Sequence, residues 1–406
     1  MAAAGRWILA FGVLLAGLSA APAGQQATAA ADDPVKVLVG RLDLERYKAT
    51  IKELTQFGDR RQGTDRNRAA VDWIEAQLKS YGCLTARLAY VQPPPAPPAP
   101  PRAGGPPSPV IASGEIRAGQ GGSRYYGVTR PTGVNNNPQA QPDVTLRTLN
   151  MEQGEPGPRE QVYCTKIGAT TPEEMYIVGA HMDGIGWGEA ANDNASGTAL
   201  VMEMARILSS PEVKTAQSIR FAFWNSEETG LTGARAYVEQ RAGLQGRENP
   251  VGSGQYPEPW WLAMIQHDMM LWDHGMPRAD GSFSPDQRPE ADVNIEFQSN
   301  AKRADEAMKL AFFFRSANEK YASDYPAAVG SHMTTTDSTP FMDLVPSISL
   351  RENERGMHTG AGWNPHWHQP TDRFVTFSDK DFRLGLNAAQ TTLGAIAQLA
   401  GATLEK

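Results

Sequence analysis

The chain has 406 residues, 40% of them hydrophobic and 20% charged, an ordinary globular balance that suits one large domain or two small ones. A formal net charge of −7 argues against nucleic acid or an anionic membrane as a partner. The two cysteines, Cys83 and Cys164, suggest one disulfide if the protein is exported, with a pair of buried free thiols as the alternative.

Residues 1–30 read as a signal peptide and leader. Arg6 is the only charge ahead of an apolar core, Ile8 to Ala20, too short to span a bilayer comfortably, and small-residue sites follow at Ser19-Ala20-Ala21 and Ala21-Pro22-Ala23. The expected location is therefore secreted or periplasmic, with a retained N-terminal anchor as the alternative. Residues 31–42 read as a linker into the fold. Leu44 to Phe57 reads as a helix. Thr64 is a good N-cap for a second one, in which Val71, Ile74, Leu78 and Tyr81 repeat at helical spacing until Gly82 stops it. Leu84 to Val91 follows as a strand.

The stretch PPPAPPAPP and the later GGPP cannot build a core. With the polar run after them they define an exposed insertion at about 92–159 with little regular structure. No internal repeat is visible, so residues 31–406 read as a single domain carrying this insertion. Strands are then expected at Gln161 to Ile167, 175–181, Ser218 to Trp224, Trp260 to Gln266, Val293 to Phe297 and Pro346 to Leu350. Helices are expected after Asp193, over Gly230 to Gln240, over 301–320, and at the C-terminus, where Phe382, Leu386, Ala389, Leu393 and Ile396 mark one face. The alternation gives an α/β fold, a three-layer α/β/α sandwich around a mixed, largely parallel sheet.

Three of these strands end in candidate ligands. The apolar run Met175 to Ala180 ends on His181, and Asp183 lies two residues on. Alternate side chains of an extended chain share a face, so the Asp183 carboxylate can sit behind the imidazole and fix its tautomer. A glycine-rich loop leads to Asp193 at the mouth of a helix. Glu227 and Glu228 follow the apolar strand ending FAFW, and Asp268 follows the next strand. Open α/β sheets place their sites at such carboxyl ends. Far downstream, His366 and His368 flank Trp367 in a loop that continues to Asp372.

Two histidines and three carboxylates, with one carboxylate to spare, are too many for one zinc. They suit two zinc ions sharing a bridging carboxylate. Adjacent Glu227 and Glu228 tend to point apart, so one can bind metal while the other stays free as a base. The bland readings are a His–Asp pair with an N-capping Asp193, and a solvated acidic loop at Glu227-Glu228.

The segments GAHMD, ANDNASG, FAFWNSEETGLTGARAY, HDM and WHQPTD stand in the order and context of the secreted di-zinc exopeptidases. The chain resembles the aminopeptidase Y family, which includes bacterial leucyl aminopeptidases and glutamate carboxypeptidases, from about Gly58 to the C-terminus apart from the insertion. The resemblance implies a zinc peptidase domain. His181 and Asp268 would hold one zinc, Glu228 and His368 the other, and Asp193 would bridge. Glu227 would be the general base and Asp183 the partner of His181. The family's His-x-x-x-Asp spacing falls on His368 and Asp372, which favours His368 over His366. The resemblance also implies a cis peptide bond between Asp193 and Asn194.

Two departures stand out. Trp367 replaces a tyrosine common before the last ligand, and Thr336-Asp337-Ser338 replaces Ser-Asp-His. The expected activity is release of N-terminal residues from peptides with a free N-terminus, by a monomer with no nucleic acid partner and no membrane association after signal removal. The alternative is a carboxypeptidase or dipeptidase on the same site, which would need a cationic pocket for the substrate carboxylate. A glutaminyl cyclase would work with one zinc, and a non-catalytic relative would have lost ligands. His267, His274, His332 and His358 are expected to be loop or surface residues. Trp260-Trp261 and Phe312 to Phe314 are expected in the core, and Arg351 in a structural ion pair, with reading of a carboxylate near the site as its alternative.

Overall fold

Hydrophobic alternation and capping set the elements. The computed structural model describes residues 33–92, 134–272, 293–352 and 364–405. Asp43 accepts a hydrogen bond from the Arg46 N–H and starts helix α2 (Leu44–Thr55). Thr64 does the same through Asn67 for α3 (Asp65–Ser80). Strands β1 (Leu84–Val91) and β2 (Pro158–Lys166) pair antiparallel. Strand β3 (Thr171–His181) leads to α5 (Gly197–Leu208). Then come β4 (Val213–Lys214), β5 (Gln217–Trp224), α6 (Thr232–Arg241), β6 (Trp260–His267) and β7 (Val293–Phe297). Helix α7 (Ala304–Tyr321), β8 (Ala327–Gly330) and β9 (Ser347–Glu352) follow. A Ser378–Asp381 capping box opens α8 (Asp379–Leu399), and β10 (Thr403–Leu404) pairs with β4.

Among the described residues the main sheet has eight strands in the order β1-β2-β5-β3-β6-β9-β7-β8. Its centre, β5-β3-β6-β9, is wholly parallel, while antiparallel pairs join β1 to β2, β2 to β5 and β7 to β9. Parallel pairing brings the carboxyl ends of these four strands to one edge, with His181 opposite Trp224 and His267 opposite Leu350. The two sheet faces are covered unequally. Ala180, Phe221, Phe223 and Ile265 join the larger core, with α2, α3, α5, α7 and α8. Met175, Ile177, Trp224 and Met264 turn the other way, onto α6 and the ring of Phe341.

Several expectations needed correction. Residues 31–42 are not all linker, because Pro34–Val39 forms helix α1, whose Val35, Leu38 and Val39 are buried against α8. The insertion is not uniformly irregular. Asp143 caps α4 (Val144–Asn150), and Asn150 is buried and returns to the fold through Asp59 and Gly188. Residues 1–30 and the proline-rich part at 93–133 lie outside the described residues, as do His274 and His358. Trp260 and Phe312 are exposed, each next to a chain neighbour or helix turn that turns inward instead. His267, by contrast, is fully buried between Thr392 and the Gly179 carbonyl.

Cys83 and Cys164 form a disulfide with a Cα separation of 5.7 Å. Pairing of Leu84 with Thr165 places Cys83 just beyond the end of the β1–β2 ladder, within reach of β2. The bridge closes a loop of 81 residues. In the chain-entropy account such a loop is worth roughly 4–5 kcal/mol at most. Replacing both cysteines by serine should therefore lower the unfolding free energy by up to that amount, read from urea denaturation. An unchanged midpoint would show that the bridge contributes nothing.

Candidate metal centre

Five side chains from four loops meet at the carboxyl edge of the sheet. His181 ends β3 and is 1% exposed. Its Nε2 faces Asp193 Oδ1 at 3.2 Å and Asp268 Oδ1 at 3.5 Å. His368 Nε2 faces the other Asp193 oxygen, Oδ2, at 3.1 Å and Glu228 Oε2 at 2.9 Å. Asp193 thus lies between two imidazoles with one oxygen turned to each. Donor atoms of His181, Asp193 and Asp268 fall within 4.8 Å of one another, as do those of Asp193, Glu228 and His368. A third grouping, His181 with Glu227 and Glu228, meets the same distance. These residues, with Met269, Thr334, Thr335, Arg351 and Trp367, line a cavity of about 350 Å³.

Asp193 is held in this position from behind. Asp372 accepts hydrogen bonds from the Asn192 and Asp193 N–H groups, at 2.8 and 3.0 Å. The peptide bond from Asp193 to Asn194 is cis, as the resemblance implied. Asn194 donates to the His267 carbonyl and accepts from the Gly197 N–H, tying β6 to the start of α5. Glu352 accepts from the Asn192 and Asn364 side chains and from the Trp272 N–H. Arg60, fully buried, donates to the carbonyls of Met182, Glu189 and Ala190, so its guanidinium clamps both ends of the loop between β3 and Asp193.

Electrostatics follow from crowding four carboxylates and two imidazoles in a buried space. Burial alone would pull the His181 imidazole down, but Glu227, Asp193 and Asp268 hold it well above its ordinary value. His368 is likewise raised to about 10, because Glu228 and Asp193 outweigh its burial. Burial and the neighbouring Asp193 push Glu228 up to about 7. Burial raises Glu227 well above the usual range, and Glu228, Asp337 and Asp268 add to it. The site attracts positive charge. A metal ion bound there would compete with protons for the same imidazole nitrogens. Glu228 Oε1 and His368 Nδ1 are buried without a hydrogen-bond partner among the described residues. Two imidazoles and three carboxylates of this kind fit zinc.

The expected contact between Asp183 and His181 takes a different form. The imidazole Nδ1 lies 3.0 Å from the Asp183 carbonyl oxygen and 3.9 Å from its carboxylate. The carboxylate instead accepts the Glu227 N–H at 3.1 Å, so Asp183 joins the loop after β3 to the loop after β5. His366 turns away from the cavity, bonded to Thr371 and packed edge-on against Trp272 and Phe377. Trp367 stacks on the His368 ring, with centroids 3.9 Å apart. Arg351 is in an ion pair, as expected, but its partner is the site residue Asp268, at 2.7 Å. Neither this contact nor the role of Arg60 has a local sequence signal.

The model of Peptidase family M28 matches residues 162–389. The protein named "Probable lipoprotein aminopeptidase LpqL" from Mycobacterium tuberculosis is 37% identical over 113 residues, 28% of this chain and 21% of that protein's own length. Two solved structures share the fold at 15% identity. A zinc aminopeptidase from Bacillus subtilis has a TM-score of 0.58, with 88% of this chain and 95% of that one covered. A glutaminyl cyclase from Porphyromonas gingivalis has a TM-score of 0.54, covering 88% and 99%.

The loop carrying His368 packs on the glycine-rich loop. Gly186, at φ +98, lies against the His368 backbone, and a Cβ there would collide with it. Gly186→Ala should therefore cost about 1–3 kcal/mol in chemical denaturation. Wild-type stability for that variant would show that the two loops are not pressed together.

Proposed function

This chain belongs to peptidase family M28, and on that premise we propose that it is a zinc aminopeptidase whose centre takes two zinc ions. The observation that carries the reading is Asp193, with one oxygen toward His181 and the other toward His368. His181, Asp193 and Asp268 would hold one ion, and Asp193, Glu228 and His368 the other. When bound, the ions supply Lewis acidity to a water and to the scissile carbonyl.

The side chains supply the rest. Asp193, Glu227, Glu228 and Asp268 make the cavity acidic, which favours the ammonium group of a free peptide N-terminus. Glu227 lines the same cavity, and its carboxylate accepts no hydrogen bond from a described residue while its backbone is fixed by Asp183. It is free to take a proton from the attacking water and return it to the leaving amine. The indole of Trp367, stacked on His368, walls the cavity. Arg351, the only arginine or lysine lining the cavity among the described residues, is engaged by Asp268, which argues against the free cationic partner that a carboxypeptidase needs. The ligand set also exceeds what one zinc requires, against a cyclase. An exported location fits the disulfide and the lipoprotein name of the relative. No helix among the described residues is long and apolar enough to cross a membrane.

The deciding assay offers purified protein free-amine, N-blocked and C-blocked peptides, with and without chelator. Turnover of free-amine and C-blocked peptides alone, lost on chelation and restored by zinc, supports the reading. Turnover of N-blocked peptides contradicts it.

The adjacent glutamates separate metal binding from proton transfer. Glu227→Gln should keep both metal equivalents and lose about 10²–10⁴-fold in kcat. Glu228→Ala should lose one equivalent, and Asp193→Ala should lose affinity for both. Loss of a zinc from Glu227→Gln with two retained in Glu228→Ala would reverse the assignment.

A further inference from the structure

The two halves of the centre are anchored differently. Strands β6 and β9 pair in parallel, with His267 opposite Leu350, and the Asp268 N–H donates to the Leu350 carbonyl at 3.1 Å. Asp268 and Arg351 are therefore neighbours at the sheet edge by register. Arg351 Nη2 donates to Asp268 Oδ2 at 2.7 Å, and the Thr336 hydroxyl donates to the same oxygen at 2.7 Å. Both residues are buried, Arg351 at 2% exposure and Thr336 at none. Glu296 Oε2 stands 3.8 Å from Arg351 Nε on its far side, itself fixed by the Thr334 N–H and the Asn294 amide.

The ion pair is single-pointed. A buried arginine paired only for stability would be expected to fork across both carboxylate oxygens. Here both donors share Oδ2, and Oδ1 is left facing His181 Nε2 at 3.5 Å. The other half lacks this arrangement, since Glu228 Oε1 and His368 Nδ1 have no partner among the described residues.

We propose that Arg351 is a positioning residue of the metal centre: with Thr336 it pins Oδ2 of Asp268 and reserves Oδ1 for the cation beside His181. The inference rests on reading the site as a two-metal centre. Arg351 suits the task because its guanidinium stays charged when buried and is held in one plane. Partners behind a metal ligand typically set affinity by 10–100-fold. The effect belongs to one half of the centre, because the side-chain hydrogen bonds of Arg351 and Thr336 go to Asp268 and not to Glu228 or His368.

The test strips wild type, Arg351→Met, Arg351→Lys and Thr336→Val of metal and titrates each with Co²⁺, followed by visible absorption. Zn²⁺ affinity is measured by competition with a chromophoric chelator. Wild type should take up two equivalents. Arg351→Met should bind one of them 10–100-fold more weakly, with altered Co²⁺ absorption for that equivalent alone. Arg351→Lys should recover part of the loss, and Thr336→Val should weaken the same equivalent. Should Arg351→Met fail to fold, Thr336→Val carries the test, because it removes an anchor while leaving the Arg351–Asp268 pair in place. Wild-type affinities and absorption in these variants would overturn the inference while leaving the two-metal reading intact. So would equal weakening of both equivalents. No uptake by wild type would overturn the two-metal reading itself.

Discussion

The carboxylate of Asp193, set between His181 and His368, is the contact on which the rest of the site depends. Its two oxygens point to different imidazoles, and this is possible only because its backbone is fixed on both sides. Asp372 accepts the N–H groups of Asn192 and Asp193, and the Asn194 side chain ties the next residue to β6 and α5. The arrangement concentrates like charge where water is largely excluded. Four carboxylates in one cavity repel one another, and they in turn raise the two imidazoles between them against the pull of burial. A site built this way favours cations, and its histidines must give up protons when metal binds.

The sheet explains why these residues can meet at all. Strands β5, β3, β6 and β9 run in parallel and end together, so residues far apart in sequence arrive at one edge. Asp183 then links two of the loops that leave that edge, by accepting the Glu227 N–H. Asp268 and Arg351 are brought together by the same parallel pairing, one strand further along. Arg60 works from outside the sheet, closing the loop between His181 and Asp193 through carbonyl oxygens alone. One framework therefore sets both the donor positions and the partners behind them.

Residues at strand ends were legible in the sequence because their signal is local. A short apolar run followed by His181, Glu227-Glu228 or Asp268 marks both the strand and the edge where it stops. The choice of His368 over His366 came from spacing and resemblance, and it agrees with the turn that sends His366 to Thr371. The supporting residues were not legible. Arg60, Thr336 and Arg351 act through contacts with distant segments, and nothing in their neighbours' periodicity marks them. Alternation along a strand puts Asp183 beside His181, but it carries no sign that the chain turns there and offers its carbonyl instead. Among the elements, helix α1 was missed because three buried residues on six positions leave little periodicity to detect. Helix α4 was hidden by the polar composition around it.

The most direct test of the account is the position of metal in the folded protein. Crystals of zinc-loaded protein would be measured at wavelengths on either side of the zinc absorption edge, and the anomalous difference map calculated. The account predicts two peaks, one on each side of the Asp193 carboxylate, the first beside His181 and Asp268 and the second beside Glu228 and His368. A single peak at full loading, or peaks that leave Asp193 uncoordinated, would contradict it.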